Sequence, residues 1–261
     1  VARGAGINNI DHRLRQSDFS DQDTAPPCPT LGQPIEALEH INAALLIGSN
    51  PRKDQPIIGH RLRKAAVNGA QVMFINPVDY EFLFDVHAKA IVPPSQMVAT
   101  LAAVAACFPD AAGSDAVKAA VSAASPDATH RAMAQSLQDA DKATVLLGNV
   151  ATAHPQFSLL KALAAAIAAA SGAVLGVLTD GANGAGGWLT GVLPHRGPAG
   201  SAIEAAGLDA SAMLAEPRKG YLLFGVEAAC DCANPAQAEK ALEAADFVVC
   251  AGAFASEAMK S

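Results

Sequence analysis

The sequence predicts an α/β protein built on Rossmann-like, doubly wound parallel sheets, and three observations carry that prediction. Short continuous apolar runs recur, at residues 43–48, 72–75, 143–147, 173–178, 221–226 and 247–250. Helical patterns stand between them, with Pro56, Pro155 and Pro235 at or near their starts. Polar or Gly-rich loops leave the carboxyl ends of the runs. A continuous apolar run suits a parallel strand covered on both faces, and strand–helix–strand alternation implies right-handed crossovers.

Residues 1–34 are polar and irregular, and the Pro-rich stretch 26–29 excludes both helix and central strand. Residues 35–40 read as a short helix and 43–48 as the first buried strand. Pro56 fits the first helical position, where its missing N–H costs nothing. Ile58, Leu62, Ala65 and Ala66 then share one face, and Asn68-Gly69 ends the helix. Residues 72–75 form the next strand and Pro77 stops it, so residues 43–77 make a complete βαβ unit.

A weaker extended segment at 90–92 precedes an apolar helix at 96–108. Residues 111–140 are poor in large apolar side chains and read as surface helices broken near Pro126. Strand, helix and strand recur at 143–147, 156–170 and 173–178, and again at 221–226, 235–245 and 247–250. The Ala/Leu-rich helix 156–170 should be buried on most sides. A composition shift at 139–142 sets the expected boundary: a first domain at 1–140, with its irregular leading segment, and a second α/β domain at 141–261, incomplete at its end. The chain opens at Val1 within a polar segment and stops soon after a strand, as expected of a segment from a longer polypeptide.

Composition excludes several functions. A formal charge of −7, with no Lys/Arg run longer than two, argues against a nucleic-acid or anionic-membrane surface. The largely apolar stretch 159–170 is well short of the roughly 20 residues that span a bilayer. The five Cys include no CxxC pair, and their odd number suits a reducing compartment. The seven His show no HxxxH or HExxH spacing, and Ser17, Ser49 and Ser158 lack a GxSxG context. No catalytic residue is assigned.

Two loops invite a ligand. Residues 48–55 leave a strand and enter a helix amino terminus, where unpaired N–H groups and the helix dipole favour an anion. Arg52 and Lys53 add positive charge there. The same residues also read as plain turn and helix caps, with Asn50 and Asp54 capping and Arg52 solvated. The Gly-rich stretch 180–188 admits a close backbone approach to a phosphate, or is simply a tight turn. Cys230-x-Cys232 holds a metal only with distant partners, and Asp231 between them suggests a turn.

The string NNIDHRLR at residues 8–15, followed by DFSD at 18–21, resembles the family of the large iron–sulfur subunit of bacterial NADH–quinone oxidoreductase, respiratory complex I. The resemblance continues through IGSNPR at 47–52 with Pro56, HRLR at 60–63, Gly69-Ala70, KAIVPP at 89–94 and DCANP at 231–235. The first string is the specific one; the others are shared with the wider molybdopterin oxidoreductase superfamily. That resemblance implies a formate dehydrogenase/DMSO reductase-like architecture of Rossmann-like domains. It implies vestigial dinucleotide loops at Gly48, Ser49, Asn50 and Arg52 and at Asn183 and Gly184. It places the superfamily's metal-ligand position near Gln16–Ser17, with no metal expected on Ser17.

The implied function is a structural, non-catalytic region of that large subunit, supporting electron transfer from NADH to quinone in a translocating enzyme. The iron–sulfur clusters are expected upstream, and neither cofactor nor molybdopterin within these residues. The alternative is a molybdopterin guanine dinucleotide-binding oxidoreductase domain. The expected partners are other peripheral-arm subunits of complex I, with no nucleic acid and no direct membrane insertion. The expected location is the cytoplasmic side of the bacterial inner membrane.

Overall fold

The computed structural model describes residues 2–111 and 113–255; Val1, Ala112 and the end of the closing segment 253–261 lie outside it. The chain divides into two compact units: Pro29–Ala185, and Val1–Cys28 together with Gly186–Ser261.

The unit Pro29–Ala185 holds a five-stranded parallel sheet. Its strands are β1 (Ala43–Ile47), β2 (Gln71–Asn76), β3 (Ala88–Ile91), β4 (Ala143–Leu147) and β5 (Val174–Val177), in the order β3-β2-β1-β4-β5. Every pairing is parallel, and β1 pairs β2 on one side and β4 on the other. The helices are α1 (Pro56–Val67), α2 (Pro94–Ala105), α3 (Asp115–Ser122), α4 (Ala128–Gln138), the short α5 (Asn149–Thr152) and α6 (Phe157–Ser171). Residues Ile35–His40 form a 3-10 turn before β1.

Strand β1 shows why its sequence is continuously apolar. Ala43, Leu45 and Ile47 pack with residues of α2, α4 and α6 on one face. Ala44 and Leu46 pack with Ile58, Leu62 and Ala65 of α1 and with Leu38 on the other. Alternation across a strand sends successive side chains to opposite faces, so a strand covered twice needs no polar position. The sheet is therefore doubly wound, as the sequence predicts, and its order reverses at β1/β4.

Two expectations are corrected. The boundary at residue 140 falls inside this sheet, because β4 pairs β1 from Ala43↔Ala143 to Ile47↔Leu147. A loop rich in charge and poor in apolar residues marks a surface turn, and both sides of such a turn can belong to one sheet. Helix α4 is also no mere surface helix: Met133 and Leu137 are fully buried in the core. One turn's spacing puts them on a common stripe.

The other unit contains α8 (Ala210–Ala215), β6 (Gly220–Phe224), α9 (Ala228–Asp231), α10 (Pro235–Glu243) and β7 (Phe247–Ala251); α7 (Gly184–Leu189) straddles the division. Strands β6 and β7 pair in parallel as a two-stranded sheet. Ala228, Cys232 and Ala238 form a small core with Leu14, Leu214 and Leu242. No helix of the described residues is long and apolar enough to cross a membrane.

Candidate functional site at the sheet switch point

In an open α/β sheet, ligands bind at the carboxyl ends of the strands where strand order reverses. Here that point lies between β1 and β4, and it gathers the loops 48–55 and 148–149. Gly48 has φ +58°, a left-handed conformation that favours glycine, and a Cβ there would overlap the Ala151 amide nitrogen. A Cβ at Gly148 would overlap the Ser49 side chain. The two strand-end loops therefore pack backbone against backbone. Gly148 N donates to Ile47 O at 2.9 Å and Val150 N to Gly48 O at 2.9 Å.

Asn76, at the end of β2, locks this arrangement. Its Oδ1 accepts from Ser49 N at 2.8 Å and its Nδ2 donates to Ser49 O at 3.0 Å. Gln55 ties the loop to the neighbouring strand ends: its Nε2 reaches Asn149 Oδ1 at 3.2 Å and Thr179 O at 3.3 Å. Gly184, on the Gly-rich stretch, faces the Thr179 side chain, so the base of that stretch lies beside Gln55. Asn183 immediately precedes α7 on the same stretch.

Several of the expected N–H groups are engaged. Lys53 N and Asp54 N donate to Asn50 O at 3.0 and 2.9 Å. Neither Asn50 nor Asp54 caps α1 through its side chain; Gln55 occupies the cap position without a side-chain bond. Arg52 Nη1 donates to Glu81 O at 2.9 Å and stands 3.7 Å from that residue's carboxylate. The atoms left buried without a partner are Ser49 Oγ, Asn50 Oδ1 and Gln55 Oε1. Two of these three oxygens can only accept a hydrogen bond, and the third is a hydroxyl. A diphosphate offers acceptors, so this set fits one poorly, and the nearest guanidinium is already held.

The segment 8–15 sits elsewhere, in the unit with β6 and β7, and its side chains are bound there one after another. Asn8 Nδ2 donates to Ala205 O at 2.8 Å, and Asn9 Oδ1 accepts from Leu208 N at 2.9 Å. Asp11 Oδ2 accepts from Ala210 N at 3.2 Å, and His12 Nδ1 lies 2.8 Å from Val192 O. Arg13 forms a bidentate pair with Asp11, both distances 2.8 Å, with side chains 5% and 0% exposed. Its guanidinium carbon stands 4.6 Å from the Phe19 ring centre and 5.2 Å from that of Trp188. Arg15 pairs with Asp231 at 3.2 Å, and Leu14 O accepts from Ala233 N at 2.8 Å. The strings NNIDHRLR and DCANP, far apart in sequence, are thus neighbours in space.

Near the position expected for a metal ligand, Gln16 Nε2 donates to Asp18 O at 2.6 Å, and Asp18 Oδ1 accepts from Ser20. Ser17 is itself engaged in an interaction within the chain. Among the described residues no group of three or more His, Cys, Asp or Glu side chains is placed to hold a metal. Cys232 is buried, and burial, then Asp231, pushes its thiol pKa up; Cys230 is exposed. Cys232 therefore offers no low-pKa thiolate for metal or redox chemistry. In the same unit His195 has both ring nitrogens buried without a partner. Burial, then Arg13 and Arg196, lowers its pKa below the ordinary histidine value.

Reading the residues placed Gln55 at the end of the loop 48–55 without singling it out, and missed Asn76, Asn149 and Thr179. Their one available signal is a polar side chain standing just beyond an apolar run.

A parallel sheet of order 3-2-1-4-5, with strand-end loops gathered at its switch point, defines a Rossmann-like dinucleotide-fold protein. The chain belongs to the molybdopterin oxidoreductase family, whose model matches residues 4–261. A search of the curated proteins returned no match. Among solved structures, the chain is similar to the formyltransferase/hydrolase complex (FhcABCD) from Methylorubrum extorquens in complex with methylofuran. The TM-score is 0.59 at 12% identity, over 95% of this chain and 68% of that one. At that identity the likeness is one of fold.

Proposed function

We propose that this chain is a structural, non-catalytic region of the large iron–sulfur subunit of an NADH:quinone oxidoreductase. It supports the cluster-bearing portion while electrons pass from NADH to quinone, and contacts other peripheral-arm subunits on the cytoplasmic side of the membrane. The observation that carries this reading is the fate of the segment 8–15. The polar side chains of Asn8, Asn9, Asp11, His12 and Arg15 are each bound to another part of the chain, and Arg13 pairs with Asp11 and donates to Gln22. A motif spent in this way serves the fold. The engaged Arg52 and the locked Asn76 support the same conclusion for the dinucleotide loop.

Family membership favours one alternative, a domain that binds molybdopterin guanine dinucleotide. Metal and pterin analysis of the natively expressed full-length protein separates the two. The scaffold reading expects molybdenum, tungsten and pterin at trace level; any of them at one per chain would overturn it. Calorimetry adds a second check. Guanine nucleotides are expected to bind weakly or not at all, and low-micromolar binding abolished by Arg52→Ala would contradict the proposal.

A further inference from the structure

The pair β6 and β7 has one closed face and one open face. Tyr221 lies on the closed face, buried, and its hydroxyl donates to Met213 O of α8 at 2.9 Å. The open face carries Gly220, Leu222 and Phe224 on β6 beside Phe247, Val249 and Ala251 on β7, in that register. Leu222, Phe224, Phe247 and Val249 are all exposed. Together they present roughly 500 Å2 of apolar side chain, a size at which a patch marks an association site. A two-stranded sheet with one bare face is also marginal by itself.

Side-chain size and charge together say what covers this face. Bulk rises along β6, from Gly220 to Phe224, and falls along β7, from Phe247 to Ala251. A two-fold axis lying across the strands therefore sets large against small at each corner. Phe224 stands over the copy's Gly220, Phe247 over the copy's Ala251, and Leu222 and Val249 each over their own counterparts. Phe247 leans across Gly220, where a Cβ would overlap its ring, so the incoming Phe224 meets ring surface there. A two-fold dimer needs a patch that matches itself in this way. The face holds no charged side chain, while the chain carries −7, so two copies repel elsewhere and not here. Two such faces together remove about 1,000 Å2 from water, which reaches the lower limit for a specific interface.

We propose that the open face of β6 and β7 is the interface of a weak dimer between two copies of this chain, packed face to face with their strands antiparallel. The inference goes beyond the scaffold reading and does not depend on it. An interface of this size implies a dissociation constant of about 10–100 µM, so at about 1 µM the chain is a monomer and the face is bare.

The test is sedimentation velocity of the full chain between about 1 and 300 µM. The sedimentation coefficient should rise with concentration to that of a dimer and stop there. Added salt should leave the dimer intact or tighten it, because salt screens the repulsion between acidic copies. Leu222→Ser with Phe224→Ser should weaken association about tenfold or more. Ile57→Ser with Val67→Ser, which removes comparably exposed apolar side chains from α1, should leave it unchanged. All four positions are exposed, so thermal melts at about 1 µM should match the parent. A monomer at every concentration overturns the proposal. So does growth past the dimer, which would mean pairing at an open strand edge, and so does dissociation by salt. Equal effects of the two double variants overturn this face as the interface. None of these outcomes bears on the scaffold reading, which metal and pterin content tests separately.

Discussion

The two parallel sheets of this chain have the same kind of sequence and opposite surroundings. In the five-stranded sheet, β1 is 0% exposed at every position from Ala43 to Ile47. In the two-stranded sheet, Leu222 and Phe224 on β6 are 72% and 83% exposed, and Phe247 and Val249 on β7 are 62% and 51%. The registers pair Leu222 with Val249 and Gly220 with Phe247, so these residues share one face. The two units are also held differently. Pro29–Ala185 rests on two large apolar clusters. The other unit has a small cluster and relies on the polar ties of residues 8–15. Apolar burial scales with area and needs many residues, whereas a buried bidentate pair is local and fails when either partner is lost.

The comparison can be broken at its largest effect first. Arg13→Ala leaves the Asp11 carboxylate buried and unpaired, and should destabilise the chain by about 3–5 kcal/mol in chemical denaturation. A loss under about 1 kcal/mol would mean that the polar ties are incidental. Leu45→Ala should cost about 2–5 kcal/mol, while Leu222→Ala should stay within about 0.5 kcal/mol. Equal losses at the two leucines would mean that β6 is covered in solution.

Asn76→Ala removes both partners of the buried Ser49 backbone and should cost about 1–3 kcal/mol. An unchanged midpoint would show that Asn76 fills space without locking the loop. The smallest effect is a pH dependence. The folded-state pKa of His195 lies below its unfolded value of about 6.5, so on acidification the unfolded chain takes up the proton first. Stability should therefore fall as pH drops through about 6.5 and level off below the depressed folded value. His195→Gln should flatten that slope; an identical profile in the variant would place the titration elsewhere.

Much of the fold was legible because strands and helices carry period in their own residues. Residues 43–77 read as strand, helix and strand, and the structure shows β1, α1 and β2 there. Pro56 and Gly69 marked that helix's ends because their effects are local. The division of the chain was not legible. Residues 139–142 look like a boundary, yet β4 joins β1 across a separation of 100 residues, and pairing over that distance leaves no mark in composition. The candidate loop was half legible. Gly48, Ser49, Asn50 and Arg52 were identified by type and place, but Asn76, which holds Ser49, and Glu81, which holds Arg52, come from the end of β2 and the loop beyond it.

The sequence by itself determined the elements, the parallel doubly wound class and the family resemblance, since each depends on neighbouring residues or on a contiguous string. Tertiary structure alone decided that Arg52 is held by Glu81, that Ser49 is locked by Asn76 and that segment 8–15 is spent on internal ties. The physical reason is common to all three. An anion site needs donors that are free, and whether an N–H or guanidinium is free depends on residues brought to it from distant parts of the chain.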